Sequence, residues 1–564
     1  MKSRRIIFIS SLVLIALFAF GFVASKRDLY FDISKNLELF GKVYKEISFN
    51  YVDDIDPQEF MRAGIKGMLS KLDPYTVFID EKNQDDIDLL TNGKYGGVGI
   101  SIGIRNEKVT ILEVMDGYSA QKQGVRIGDV ITGIGDTEIT PEMIDDISSL
   151  VKGEPGTSVQ LKVSRLSEKD TLTFNLIREE VIIKNLVFAD FFPENSNNVY
   201  LKLSNFSRSA GDEVRSALRE LKNKKEIKSI VLDLRGNPGG LLDVAVDICD
   251  KFLKKDLLIV STRGKELTSE KKYFALEEPL AGNEKLVVLI NGNSASASEI
   301  VAGAIQDHDR GVILGTQSFG KGLVQTIIPL SFNTSLKITT AKYYTPSGRC
   351  IQKIDYSKDN QVIPDPDSLT KNEYSTDNKR VVFSAGGITP DTTVKNGIES
   401  DLLKDLLAKG AIFNFADKFY YQDVNFDFKK LNDDKILKDF KKFLDETKYE
   451  YESDVERKLN EIIKHLNENH NSKEVTKTLE KLTSEVKQMF DSEFSESSDE
   501  ILVELKVELA QRFLGKDGGT TERLKFDKQF NTAIQIFNND AAYSKFLTRQ
   551  WLSFCFYFKW LKHF

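Results

Sequence analysis

Three cysteines in 564 residues, Cys249, Cys350 and Cys555, are too few and too scattered for a disulfide framework, and no CxxC or Cys/His spacing offers a structural zinc site. Histidine is almost as scarce. Only His308, His465, His470 and His563 occur, three of them in the charged C-terminal third, so histidine-based catalysis has one candidate in the body of the chain. Excess positive charge is missing too: 78 Lys and Arg face 85 Asp and Glu, a net charge of −7, and a nucleic-acid partner is not expected. Hydrophobic residues at 41% and charged residues at 29% exclude both wholesale disorder and a multi-span membrane protein. Most of the chain is expected to fold in water, as three or four units at about 150 residues each. No cofactor and no metal is expected.

One long apolar run is present. Residues 6–24, IIFISSLVLIALFAFGFVA, are uncharged and follow Lys2, Arg4 and Arg5. That length just spans a hydrocarbon core of about 30 Å, and the basic cluster favours a cytoplasmic N-terminus with everything later outside. A cleaved signal peptide is the rival reading. No A-x-A site follows, so a retained anchor within residues 1–25 is preferred. Either way the body is exported, membrane-held and facing the periplasm or cell exterior, or secreted.

The periodicity then changes several times. Residues 26–83 read as helical, with Leu37, Phe40, Val43, Tyr44 and Ile47 at spacings of three and four. Residues 84–166 read as a compact β-rich module, with VGISIGI, VTILEVM, DVITGIG and SVQLKVSRL between glycine-containing turns. Residues 167–400 alternate buried-strand candidates (VYLKLSNF, SIVLDLRG, KLVVLING, GVILGT) with helical stretches, the mark of an α/β core. Residues 401–564 turn Lys/Glu/Asp-rich and read as a separate helical region, which could dock a partner, self-associate or cover a cleft. Its tail, FLTRQWLSFCFYFKWLKHF, carries both tryptophans and reads either as a membrane-surface or docking helix or as a buried terminal helix.

Three segments could carry chemistry. In NGNSASASE a strand runs through a small-residue turn into a helix, whose N-terminus favours developing negative charge. Ser296 would sit there as a nucleophile, although Ser296 to Glu299 also fits a capping box. A serine nucleophile needs a base. His308 is one option, and Lys321, between Gly320 and Gly322, is the other if partial burial lowers its pKa. The run Gly315 to Lys321 mimics a phosphate-binding loop, but Gly322 stands where the Mg²⁺-binding hydroxyl belongs. Finally, DLRGNPGG at a strand-to-helix turn could present backbone N–H groups to an anion. Cys249 and Cys350 read as packing residues.

Taken together and in this order, the export segment, the GGVGI-containing β module, DLRGNPGG, NSASASE and FGKGLVQ resemble the carboxyl-terminal processing (tail-specific) proteases over roughly residues 30 to 400. The resemblance implies a PDZ domain, an α/β core of the crotonase/ClpP-like kind, and a Ser/Lys dyad of Ser296 and Lys321, 25 residues apart. It implies that Gln325 supports the lysine and that the amides of Ala297, Gly239 and Gly240 form the oxyanion hole. Gly96, Gly97, Val98, Gly99 and Ile100 would hold the terminal carboxylate of an extended peptide, probed as an added strand. Arg126 is a candidate contact between the PDZ-like module and the protease core, reporting whether the peptide site is filled. Protein substrates with accessible apolar C-termini are the expected partners, with a homo-oligomer or adaptor contact through the helical region. A non-catalytic PDZ scaffold or chaperone and a crotonase-type acyl-transferring enzyme are the alternatives.

Overall fold

The apolar runs Asn198–Leu203, Ser229–Asp233, Lys285–Ile290 and Val312–Gly315 lie parallel at the centre of a six-stranded sheet, with antiparallel Leu186–Phe191 at one edge and Thr392–Thr393 at the other. Every residue of Ser229–Asp233 is buried. A parallel strand covered on both faces has no solvent side, which explains why this run is not alternating. The computed structural model in which this sheet is seen describes residues 29–548, apart from 82–88, 90, 106, 166–167, 266–268, 355, 357–372, 385, 399, 469–472 and 488–489. The apolar segment 6–24, most of the aromatic tail, and His470, Cys555 and His563 lie outside the described residues. Among the described residues no helix is long and apolar enough to cross a membrane.

Helices Ala210–Lys224, Leu242–Asp250 and Ala297–Asp307 cover one face of the sheet, packing Val214, Leu218, Ile248 and Val301 into the cluster of Leu201, Ile230, Leu232 and Val288. The other face presents Tyr200, Val231, Val287, Leu289, Val312 and Leu314. Among the described residues no helix between the strands covers it. The far end of the chain does: Lys528–Phe537 and Asp540–Phe546 press Phe530, Ala533, Ile536, Phe537 and Tyr543 onto it. The C-terminal helical region is therefore not wholly separate from the core, contrary to the sequence-based expectation. Its earlier helices, Asp401–Ala408, Ala411–Gln422 and Asp433–Glu446, do enclose a core of their own around Leu406, Phe415, Phe440 and Leu505. The long helix Ser498–Phe526 connects the two packings and is broken at Gly515, where φ is 75° and ψ −175°.

A second sheet is built on Ser335–Tyr344, which pairs with Leu323–Pro329, Leu258–Gly264 and Val77–Ile79. The helical expectation for 26–83 holds for residues 29–50 and for Pro57–Leu69, whose N-cap Asp56 accepts from the N–H groups of Gln58 and Glu59. It fails at Val77–Ile79. Pro74 disfavours helix at the residue before it, and the β-branched and aromatic residues that follow fit a pleated edge better.

The β-rich module orders its strands as Ile100–Arg105, Lys108–Val114, Val130–Ile134, Ser158–Ser164 and Leu172–Ile177, around Ile111, Ile131, Ile147, Leu161 and Leu176. The expected boundary at 166 falls inside this sheet, because the alternating LTFNLI pairs with SVQLKVS from Ser158↔Ile177 to Val163↔Leu172.

Candidate active site

Strand Lys285–Ile290 ends in a turn held by hydrogen bonds rather than by side-chain packing: Ser294 N–H donates to Asn291 O at 2.8 Å, and Ser294 Oγ donates to Leu234 O at 2.8 Å. Ser296 follows with φ 54° and ψ −112°, a conformation that a non-glycine residue adopts only when its surroundings impose it. The imposing element is the turn DLRGNPGG. Asn237 O accepts from Ala295 N–H at 3.1 Å and from Ser298 Oγ at 2.9 Å, and Gly236 N–H donates to Asn291 Oδ1 at 3.0 Å. Gly239, at φ +99°, lies so close that a Cβ on it would come 2.6 Å from Ala295 O and 2.9 Å from Ser296 Cβ. Only glycine fits there.

Two of the three expected oxyanion donors remain usable. Gly239 N–H is committed to Asn237 Oδ1 at 2.9 Å. The backbone bonds joining this turn to Phe206 use Gly239 O and Leu241 N–H, which leaves Gly240 N–H outside that ladder. Ala297 N–H opens the helix Ala297–Asp307, where the peptide dipoles add to its pull on an anion.

Glu299, fully buried one turn into this helix, binds the Ser296 segment to the Lys321 segment. Its carboxylate accepts from Ser318 Oγ at 2.5 Å, Gly320 N–H at 2.7 Å, and Lys321 N–H and Ser296 N–H at 2.9 Å each. The last two bonds end on the same oxygen, Oε2, so the backbone nitrogens of Ser296 and Lys321 lie within twice 2.9 Å of one another. Burial pushes the Glu299 carboxyl up to about 7 against the pull of those four donors. Glu299→Gln replaces one acceptor oxygen by an NH₂ facing donors. It is expected to cost about 3 kcal/mol of stability, read as a fall in thermal midpoint; an unchanged midpoint would contradict the arrangement.

Lys321 is partly buried, and burial together with nearby Lys337 lowers its pKa to about 8, opposed by Asp73 and Glu299. Its Nζ lies 4.2 Å from the ring centroid of Tyr75, a cation–π seat. Tyr75 is delivered there by the unexpected edge strand: Val77 pairs with Lys337, and Thr76 Oγ1 accepts from Thr339 N–H at 3.2 Å. Among the described residues no hydrogen bond joins Lys321 Nζ to Ser296 Oγ. Catalytic hydrogen bonds are often unmade in unliganded sites and close with substrate.

Other candidate residues fall elsewhere. The Gln325 amide donates to Thr339 Oγ1 at 3.2 Å, so here it supports the strand pair and not the lysine. The Arg126 guanidinium lies 5.4 Å from the ring centroid of Tyr421, in helix Ala411–Gln422. Its contact is with the helical C-terminal region, not the protease core as expected, because that region and not the core packs against this turn: a Cβ on nearby Gly128 would strike the Asp417 carboxylate at 2.2 Å. Gly97, Val98, Gly99 and Ile100 form the entry to strand Ile100–Arg105, with Val98 O accepting from Ala120 N–H at 3.1 Å and Gly99 O from Met115 N–H at 2.9 Å. This strand ends the sheet, paired only with Lys108–Val114 among the described residues. An open edge is what strand addition requires.

His308 sits at the far end of the helix that Ser296 opens, about 18 Å from Ser296 at 1.5 Å per residue. Both ring nitrogens are engaged, Nδ1 with Asp377 and Nε2 with Leu258 O, so a histidine-based triad at Ser296 does not form. The phosphate-loop mimic leads into strand Leu323–Pro329 rather than a helix, which removes the dipole a phosphate site uses. Cys249 is fully buried and its thiol is pushed well up by burial, as a packing residue should be.

Four family models match the chain: peptidase family S41 over residues 197–368, a PDZ domain over 110–165, the activating protease CtpB N-terminal domain over 23–83, and the probable PDZ-protease C-terminal helical domain over 402–537. A carboxy-terminal-processing protease of Bartonella bacilliformis is 38% identical over 328 residues, which cover 58% of this chain and 74% of that protein. The carboxy-terminal processing protease CtpB of Bacillus subtilis is 31% identical over 333 residues, 58% of this chain and 67% of its own. A solved photosystem II D1 C-terminal processing protease is 25% identical and covers 63% of this chain and 92% of its own, with a TM-score of 0.34.

Proposed function

The chain belongs to the carboxy-terminal processing proteases of peptidase family S41, serine peptidases, and it carries a PDZ domain; from there we propose that it cleaves envelope proteins whose C-terminal tails the PDZ domain captures, with Ser296 as nucleophile and Lys321 as general base. The observation that carries the dyad is the single Glu299 oxygen shared by the two backbones. Lys2, Arg4 and Arg5 ahead of the apolar run 6–24 support an exported body held at the membrane.

In this reading Ser296 Oγ attacks the scissile carbonyl carbon while its proton passes to neutral Lys321 Nζ, which has left the Tyr75 face. The N–H groups of Ala297 and Gly240 donate to the oxyanion. Collapse of the tetrahedral intermediate breaks the C–N bond, and the ammonium returns the proton to the leaving amine. Water then attacks the acyl ester, the same amine takes its proton, and Ser296 is released with its hydroxyl restored.

The base works only when unprotonated, so kcat/KM should rise with pH through about 8 and level off above it. The test uses an unfolded protein with an apolar C-terminal tail, and the same protein with that terminus amidated. The free carboxylate form should be cut about tenfold faster, since the amide forfeits charge-assisted hydrogen bonds to the PDZ loop. A flat pH profile would remove Lys321 as the base. Indifference to amidation would remove tail capture.

A further inference from the structure

The turn DLRGNPGG is tied along its middle and end to Asn291, Phe206 and the Ser296 segment, but its outer face is open to solvent. Gly236, Pro238 and Gly240 are exposed, and a Cβ at Gly236 would meet nothing within 4 Å. Its start is fixed separately, through Arg235. The guanidinium donates from Nε to Asp233 Oδ1 at 2.9 Å and from Nη2 to Asp233 Oδ2 at 2.6 Å, while Tyr200 Oη donates to the same Oδ2 at 2.5 Å. Its remaining nitrogen, Nη1, turns to the other end of the chain, to Asp527 Oδ2 at 2.7 Å and Gln529 Oε1 at 2.8 Å.

Asp527 is buried and has two tasks. As the N-cap of Lys528–Phe537 its Oδ1 accepts from the N–H groups of Gln529 and Phe530, at 2.9 and 3.0 Å, while Oδ2 is left for Arg235. Gln529 is fixed in turn by donating to Val394 O at 2.6 Å. A planar guanidinium held on two edges by rigid acceptors cannot rotate freely, and the residues after it inherit that orientation.

We propose that Asp527, assisted by Gln529, is a positioning residue for catalysis: through Arg235 it fixes the turn that carries Gly240 N–H, so the helical C-terminal region supplies part of the oxyanion geometry. This rests on the reading of Ser296 as nucleophile. Small displacements of such a donor matter because its interaction is realised in the transition state, whereas substrate binding in the PDZ domain does not use it.

The test is made in the full-length chain with the free-tail substrate. Asp527→Asn keeps an equally good cap, removes the charge facing Arg235, and turns an NH₂ toward Nη1 in place of the accepting oxygen. Gln529→Met keeps cap and charge and removes the second acceptor together with the bond to Val394 O. Asp540→Asn breaks another tie between the same region and the core, the ion pair with Lys285, at a distance from the turn. In Asp527→Asn kcat should fall about tenfold or more, with KM within about twofold and the pH midpoint still near 8. Gln529→Met should fall in the same direction, and Asp540→Asn should match wild type. Wild-type kcat in both turn-facing variants overturns the proposal, and so does an equal loss in Asp540→Asn or an effect confined to KM. If one turn-facing variant fails to fold, the other decides by the same criteria. Cleavage that survives Ser296→Ala would instead overturn the nucleophile reading, so the two failures are told apart.

Discussion

Ser296→Ala is expected to lower kcat/KM by at least about 10³-fold while leaving a folded protein. The acyl intermediate cannot form without the hydroxyl, and the neighbouring hydroxyls of Ser294, Ser298 and Ser318 are buried and already donate to Leu234 O, Asn237 O and Glu299. Alanine keeps the backbone bond to Glu299, which uses Ser296 N–H and not its side chain. What stability is lost corresponds at most to a cap, about 1 kcal/mol. Ordinary activity in this variant, measured on the unfolded free-tail substrate, would end the Ser/Lys account. A collapse of the thermal midpoint would say that the Ser296 hydroxyl holds the fold by more than a cap.

Lys321→Met should produce a loss of similar size, about 10³-fold, and should erase the rise of rate through pH 8, because methionine keeps much of the side-chain volume and supplies no base. Its effect on stability runs the other way. The folded-state pKa of about 8 lies below the ordinary 10.5, so between those values the unfolded chain binds more protons and stability climbs as pH rises. Below pH 8 both states are protonated and the cost of burying the ammonium is fully present. The variant escapes that cost, offset in part by the lost contact with Tyr75. Its thermal midpoint should equal or exceed that of wild type at pH 7, with the advantage shrinking toward pH 10. A variant that is clearly less stable at pH 7 would mean that the ammonium stabilises the fold.

The chemistry was more legible in the sequence than the architecture around it. KLVVLI running into NGNSASAS announces a strand, a turn and a helix N-terminus, and each signal is local. DLRGNPGG and FGKG are local as well. What escaped reading depends on distant pairings. Val77–Ile79 is too short to advertise itself, yet it brings Tyr75 onto Lys321. Glu299 does look like a capping residue and is one, but its bonds to Ser318, Gly320 and Lys321 cross about twenty residues and leave no periodic trace. Arg126 was expected against the protease core, and the partner it meets instead, Tyr421, lies some 300 residues on. The same holds for the last helices. Their apolar faces are evident, but nothing local says that the opposite face of a sheet begun at residue 186 is waiting for them.

That late covering has a bearing on biosynthesis. Translation delivers the chain from one end, and Phe530, Phe537 and Tyr543 emerge long after the strands they shield. Until they arrive, Tyr200, Val231, Val287 and Leu289 face water and Arg235 lacks its carboxylate from Asp527. A nascent chain stalled before residue 527 therefore still carries an uncovered apolar sheet face, the kind of surface that draws incomplete chains together.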